Sequence, residues 1–273
     1  MSEFRGKVAV ITGAGSGIGR ALAVELARRG ARLALSDIDA AGLAETVRQA
    51  EALGAEVKSD ALNVAEREAV LAYADAVKEH FGVVHQVYNN AGIAMVGDVE
   101  ESQFKDIERI MDVDFWGVVN GTKAFLPHLI ESGDGHVINI SSLFGLIALP
   151  SQSAYNAAKF AVRGFTEALR QEMITNKRPV KVTCVHPGGI KTNVANNATV
   201  VGDHDQQAFT DLFNKRLANN TPEMAAKTIL KGVSKGSGRV LIGLDAQALD
   251  LFQRLVPVTY QRIVAEVTGR ILK

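Results

Sequence analysis

Lys7-Val8-Ala9-Val10-Ile11-Thr12-Gly13-Ala14-Gly15-Ser16-Gly17-Ile18-Gly19 joins a short apolar run to a helical pattern through four glycines in seven residues. Glycine suits a chain that must turn sharply or let its backbone approach a phosphate. The amides opening the next helix then face that phosphate, with the helix dipole behind them. The glycines fit GxxxGxG through Gly13, Gly17 and Gly19, whereas the third glycine of GxGxxG would fall on Ile18. No lysine follows a glycine where a nucleoside-triphosphate loop needs one. The stretch reads as strand, dinucleotide-phosphate loop and helix, with Ser16 and Ile18 in the loop.

The same rhythm continues downstream. Apolar runs at Lys7 to Ile11, Ala31 to Ser36, Glu56 to Ser59, Val83 to Tyr88, Gly135 to Ser141, Val180 to His186 and Arg239 to Ile242 read as strands. Helical patterns cover Ile18 to Arg29, Ala40 to Leu53, Glu66 to Phe81, Asp106 to Glu131, Ala154 to Asn176 and Glu223 to Lys235. Pro127 is the expected weak point of the long fourth helix. The strands are β-branched and continuously apolar, as strands covered on both faces should be. The expectation is an α/β fold of three layers, a doubly wound, Rossmann-like parallel sheet in a single domain spanning residues 1–273. Residues 188–221 break the rhythm after a strand, on the ligand-binding side of such sheets, and read as a substrate-binding lid. Residues 245–273 read as a C-terminal extension with helical spacing, interrupted at Pro257, that packs on a neighbouring subunit or covers the substrate entrance.

Composition narrows the function. The 273 residues are 47% hydrophobic and 22% charged, with 30 basic and 30 acidic side chains and no net charge. That balance lacks the basic footprint of a nucleic-acid binder. The start of the chain has no signal-peptide pattern and no apolar run is long enough to span a bilayer, so a cytoplasmic protein is expected. Cys184, the one cysteine, sits in a strand pattern and reads as a core residue. The histidines have no partner at metal-ligand spacing, and no metal is assigned. Ser16 lacks the flanking glycine of a nucleophile elbow.

The second strand ends at Ser36-Asp37. A carboxylate there can accept from both hydroxyls of an adenosine ribose and would repel a 2′-phosphate. NAD is therefore expected over NADP, with Arg20 and Arg32 keeping NADP open. Asp39 reads as a helix N-terminal acid. Farther on, Asn139-Ile140-Ser141-Ser142 ends a strand, Tyr155 follows thirteen residues after Ser142, and Lys159 stands four beyond Tyr155. Residues at i and i+4 share a helix face. An ammonium near a phenol favours tyrosinate, so Lys159 is expected to lower the Tyr155 pKa and make it a general acid or base near neutral pH. Ser142 could hydrogen-bond the same substrate oxygen.

The glycine loop, Asn89-Asn90-Ala91-Gly92 after the fourth strand, Ser142, Tyr155-x-x-x-Lys159 and Pro187-Gly188 occur in this order on matching elements. Over about residues 5 to 245 the chain strongly resembles the short-chain dehydrogenase/reductase family in its single-domain form. The resemblance implies that Tyr155 is the catalytic acid/base, that Ser142 polarises the substrate oxygen, and that Lys159 holds the nicotinamide ribose while tuning Tyr155. It implies a cofactor cleft lined by Asn89, Ala91 and Gly92. Pro187-Gly188-Gly189-Ile190-Lys191-Thr192 would contact the nicotinamide end, with Thr192 near the carboxamide. Family members commonly pair helices like the alanine-rich one carrying Tyr155, which implies a homodimer or homotetramer.

Two positions depart from the family pattern. Asp114 stands where the family usually has an asparagine that links the catalytic lysine to a water chain. A carboxylate accepts hydrogen bonds but cannot donate them, and its charge would offset the field of Lys159 at Tyr155. The expectation is a working relay with an altered pH profile. Asn63, with Val64 beside it, replaces an aspartate that often contacts adenine; its amide still offers a donor and an acceptor. His186 reads as a strand-end residue without a chemical role. Leu143, Phe144, Leu149, Met95, Ile190 and Asn193 are candidates for the pocket, and their apolar character suggests a hydrophobic alcohol or carbonyl as the small-molecule substrate. A non-enzymatic nucleotide-sensing protein on the same fold, and a dehydratase or epimerase using the same groups, are the alternatives.

Overall fold

The structure is a computed structural model that describes residues 3–271 except 193, 195, 196, 203–206, 208, 209 and 211–219. Strands β1 (Val8–Thr12), β2 (Arg32–Asp37), β3 (Val57–Ala61), β4 (Gln86–Asn89), β5 (Met95–Val96), β6 (Gly135–Ile140), β7 (Val180–Pro187), β8 (Thr199–Val200) and β9 (Arg239–Ile242) follow in chain order. Seven of them form one parallel sheet in the order β3-β2-β1-β4-β6-β7-β9, while β5 and β8 pair in a separate parallel ribbon. The helices are α1 (Gly17–Arg28), α2 (Ala40–Glu51), α3 (Arg67–Phe81), α4 (Phe104–Met111), α5 (Gly117–Glu131), α6 (Ser153–Thr175), α7 (Pro222–Ser234), α8 (Leu244–Leu255) and α9 (Thr259–Ile271).

β1 shows why three layers form. Its side chains alternate between faces, and every one is buried. Ala9 and Ile11 pack with Leu22 and Leu26 of α1, Leu43 of α2 and Ile229 of α7. Val8 and Val10 pack on the opposite face with Val70 of α3, Phe125 of α5 and Leu169 of α6. Each fully buried side chain of this size contributes about 1.5–3 kcal/mol, so such a strand is stable only between two helical layers. β3, at the sheet edge, departs from the expected continuous apolar run: its residues Val57-Lys58-Ser59-Asp60-Ala61 are half-buried or exposed. An edge strand is covered less and needs less apolar surface.

Helix boundaries follow local chemistry. Asp39 caps α2, its carboxylate accepting from the Ala41 and Gly42 amides at 3.1 Å. Thr221 caps α7, with Pro222 opening the helix. The expected long helix from Asp106 is instead two helices joined by a π-helical turn at Asp112–Trp116, and Pro127 sits within α5. A π turn holds one residue more than an α turn, and here it sends Asp114 inward to 0% exposure. The C-terminal extension is two helices either side of Pro257. No helix among the described residues is long and apolar enough to cross a membrane. Cys184 is buried, and burial pushes its thiol up to about 12.

The order of strand addition reverses beside β1, which pairs with β2 on one side and β4 on the other, all in parallel. The crevice at such a switch point, beyond the C-terminal ends of the strands, is where ligands bind in open α/β sheets.

Candidate active site

A cavity of about 1380 Å³ opens at that crevice and reaches from the glycine loop to α8 and α9. Two glycines show how tightly the loop is built. Gly13 has φ +64°, and a Cβ there would stand 2.8 Å from Ala91 Cα. A Cβ on Gly19 would collide with the Gly13 carbonyl. Gly13, Ser16, Gly17 and Ile18 line the cavity, whereas Gly19 is buried where α1 meets the loop. Across the cavity, Thr192 lies against Gly17.

Asp37 closes one end. Its carboxylate accepts from the Gly15 amide at 2.7 Å and the Asp39 amide at 2.8 Å. Asn63 and Val64 line the same end; the Asn63 side-chain oxygen accepts from the Ala65 amide at 3.1 Å. Arg20 is turned inward, its guanidinium bonding the Gly15 and Gly42 carbonyls and the Thr46 hydroxyl. Arg32 pairs with Glu56 at 2.8 Å and lies over the Phe81 ring.

Ala91 and Gly92 line the cavity, but Asn89 lies apart from it. The Asn89 amide is spent inside the protein on Thr122 at 3.0 Å and Asn139 at 2.8 Å. Its neighbour Asn90 does the work at the cleft, donating to the carbonyls of Thr12 at 2.9 Å and Gly13 at 3.1 Å. Strand alternation, which sends consecutive residues to opposite faces, is the signal that distinguishes the two.

At the other end stand Ser142, Tyr155 and Lys159. Ser142 follows β6 and accepts from the Phe144 amide at 3.1 Å. Tyr155 and Lys159 share one face of α6, with Lys159 Nζ 5.5 Å from the Tyr155 ring centroid. Lys159 is 4% exposed. Its ammonium lies 3.0 Å from Asp114 and 3.4 Å from the Ile140 carbonyl. The other Asp114 oxygen accepts from the Ile93 amide at 2.8 Å. A Cβ on Gly92 would reach within 3.4 Å of both Lys159 and Asp114, so that glycine leaves room for the pair.

These contacts set the charges. Burial pushes the Asp114 carboxyl up, against the pull of the Lys159 ammonium and the Ile93 amide. Burial disfavours the Lys159 ammonium, but the Asp114 carboxylate together with Tyr155 offsets it and holds the pKa above the ordinary lysine value. Lys159 lowers the Tyr155 pKa as expected, yet the net shift is upward. Burial pushes the phenol up, Asp114 adds to the rise, and Lys159 with the Ser142 hydrogen bond recovers only part of it.

Pro187, Gly188, Ile190 and Thr192 line the cavity beyond β7. Asp245 secures this segment by accepting from the Gly189 amide at 2.9 Å. His186 has a structural task that the sequence reading missed: its Nδ1 meets the Ser142 carbonyl at 2.9 Å. Because a carbonyl only accepts, Nδ1 carries the proton. Burial lowers the His186 pKa to about 4 and keeps the ring neutral. Leu143, Phe144, Leu149 and Ile190 line the cavity; Met95 packs instead with Ile110 and Ala158. Asn193 and much of the expected lid lie outside the described residues.

The comparisons agree on one family. A family model for short chain dehydrogenases matches residues 7–200. A putative oxidoreductase SadH of Mycobacterium tuberculosis is 72% identical over 97% of this chain and 96% of its own. Estradiol 17-beta-dehydrogenase 11 of Mus musculus is 30% identical over 95% of this chain and 83% of its own. Among solved structures, a short-chain dehydrogenase/reductase from Burkholderia phymatum in complex with NAD superposes with a TM-score of 0.87, at 31% identity over 96% of this chain and 97% of that one. An alcohol dehydrogenase from Thermococcus sibiricus complexed with 5-hydroxy-NADP gives 0.73 at 27% identity, over 86% and 95%.

Proposed function

The chain belongs to the short-chain dehydrogenases, and from that premise we propose that it interconverts a secondary alcohol and a carbonyl with NAD(H). The observation that carries the proposal is Tyr155, beside Ser142 and Lys159, on the wall of the cavity that also holds the glycine loop. The residues fit a dinucleotide. The loop amides and the start of α1 would receive the pyrophosphate, Asp37 the adenosine ribose, and Asn63 with Val64 the adenine. Tyr155 and Lys159 would hold the nicotinamide ribose, with Thr192, Ile190, Gly188 and Pro187 around the nicotinamide itself. Bound there, the nicotinamide supplies the hydride acceptor or donor.

The chain's own groups move the proton. In oxidation, the Tyr155 phenolate takes the proton of the substrate hydroxyl; in reduction, the phenol returns one to the carbonyl oxygen. Ser142 donates to the same oxygen and stabilises its developing charge. Lys159 stays an ammonium, and Asp114 keeps it in place. NAD is the favoured cofactor because Asp37 opposes a 2′-phosphate while Arg20 and Arg32 are committed elsewhere. The exposed apolar Phe160 and Ile174 on α6 support a homodimer or homotetramer.

The test is absorbance of reduced nicotinamide when the purified protein meets NAD, or NADP, and a broad panel of secondary alcohols. Turnover at least tenfold more efficient with NAD is expected. Tight cofactor binding with no turnover across the panel would sink the proposal in favour of a nucleotide-sensing protein.

A further inference from the structure

One wall of the cavity that holds Tyr155 is apolar beyond anything the proton transfer requires. On α9, Tyr260, Ile263, Val264 and Val267 stand at i, i+3, i+4 and i+7 and share one face. Tyr260 roots that face in the protein: it is 5% exposed, and its hydroxyl oxygen accepts from the Ala148 amide at 3.3 Å. Ala148 lies six residues after Ser142, so the helix is fastened to the segment that leaves the catalytic serine. Farther along the same face, Ile263 and Val267 line the cavity yet remain 44% and 49% exposed.

Among the described residues, the apolar cluster around this face carries no ionic group. Leu249 and Phe252 of α8, with Phe144 and Leu149, belong to the apolar cluster that carries Tyr260. Among the described residues, the charged groups of the cavity lie near Asp37, on α4 and the turn after it, at the Asp114–Lys159 pair, and at Asp245, one turn before Leu249 on α8. Asp245 is already committed to the Gly189 amide. Apolar surface left uncovered on the wall of a catalytic cavity is matched by apolar ligand surface.

We propose that α9 is a hydrocarbon clamp: the substrate is an uncharged alcohol or ketone whose hydrocarbon arm lies against Ile263, Val264 and Val267. The reacting group of that substrate rests on the alcohol–carbonyl reading; the arm rests on the wall alone. Chain length is therefore read by α9, and Ile263 and Val267 determine specificity.

The test is a series of 2-alkanols from 2-butanol to 2-undecanol with NAD, together with a long member carrying a terminal carboxylate. kcat/KM is expected to rise up to about fourfold for each CH2 that reaches the wall, and the carboxylate analogue to fall at least tenfold below its uncharged match. The Ile263→Asp/Val267→Asp double variant should cut the long-to-short ratio at least tenfold, while Glu266→Gln, at an exposed position outside the cavity, keeps it. Thermal unfolding checks that the variants fold, and the wild-type series stands if they do not. Calorimetric titration of the NAD-loaded protein with the matching 2-alkanones reads the wall without turnover. A gain with chain length in binding, without turnover, would uphold the clamp and overturn the alcohol–carbonyl reading. A flat series in both, or a carboxylate analogue used as well as its uncharged match, would overturn the clamp.

Discussion

In the proposed reaction Ser142, Tyr155 and Lys159 carry the chemistry, and the buried contact of Lys159 with Asp114 tunes it. Tyr155→Phe removes the one group positioned to exchange the substrate proton, and activity should fall by about 10²–10⁴-fold while the fold and NAD binding persist; near-normal turnover by the variant would contradict the assignment. Asp114 is the more discriminating position. Its carboxylate adds to the upward push of burial on the Tyr155 phenol and opposes the Lys159 ammonium. Oxidation needs the phenolate, so activity in that direction rises with pH through the apparent pKa of the coupled groups. Asp114→Asn removes the opposing charge, Tyr155 ionises more easily, and the rising limb should move to lower pH. An unmoved limb in rate against pH would show that Asp114 does not tune Tyr155. Asp114→Ala would leave a buried ammonium without its partner, at about 3–5 kcal/mol of stability. That Asp114 would lie near Lys159 was legible only through the resemblance to the family, which has an asparagine at that place. The sign at Tyr155 was not, because burial outweighs the lysine's field and burial is a property of the folded cavity.

At the scale of elements, the sheet was legible because each central strand is a short β-branched run that both helical layers must cover. The π turn was not: Asp112-Val113-Asp114-Phe115-Trp116 fits a helical pattern whether the turn holds one residue more or fewer, and only the inward Asp114 reports it. The paired asparagines were legible in principle. Alternation along β4 sends Asn89 toward α5 and leaves Asn90 to hold the glycine loop. The loop itself makes a firm prediction. Gly19→Ala places a Cβ on the Gly13 carbonyl, so strand and helix must separate, at about 1–3 kcal/mol. Thermal unfolding should show the loss and calorimetry a weakened NAD affinity; a variant matching the wild type in both would mean that the strand-to-helix junction is not tightly packed.

Across the whole molecule, buried neutral histidines link stability to pH. Burial lowers His136 to about 3 and His186 to about 4, against about 6.5 in an unfolded chain. Between those values the unfolded chain binds protons that the folded chain refuses. The stabilisation is complete above pH 6.5 and is lost as pH falls toward 3, on the order of a few kcal/mol per group. Thermal midpoints should therefore drop on acidification from pH 7 to 4, and His136→Gln should make the slope shallower; an equal slope would place the acid sensitivity in other groups. The proposed preference for NAD also rests on contacts at this scale. Asp37 was readable as a carboxylate at a strand end, but the commitment of Arg20 to the Gly15 and Gly42 carbonyls required three elements to meet. The proposed reaction is direct hydride exchange between an alcohol and a nicotinamide in the cavity that joins these parts. Secondary alcohols bearing deuterium at the carbinol carbon, incubated with the protein and NAD, test it by mass spectrometry of the recovered cofactor. One deuterium on the reduced nicotinamide, absent with Tyr155→Phe, is the predicted result; bound NAD that never acquires deuterium from any alcohol of a broad panel would contradict it.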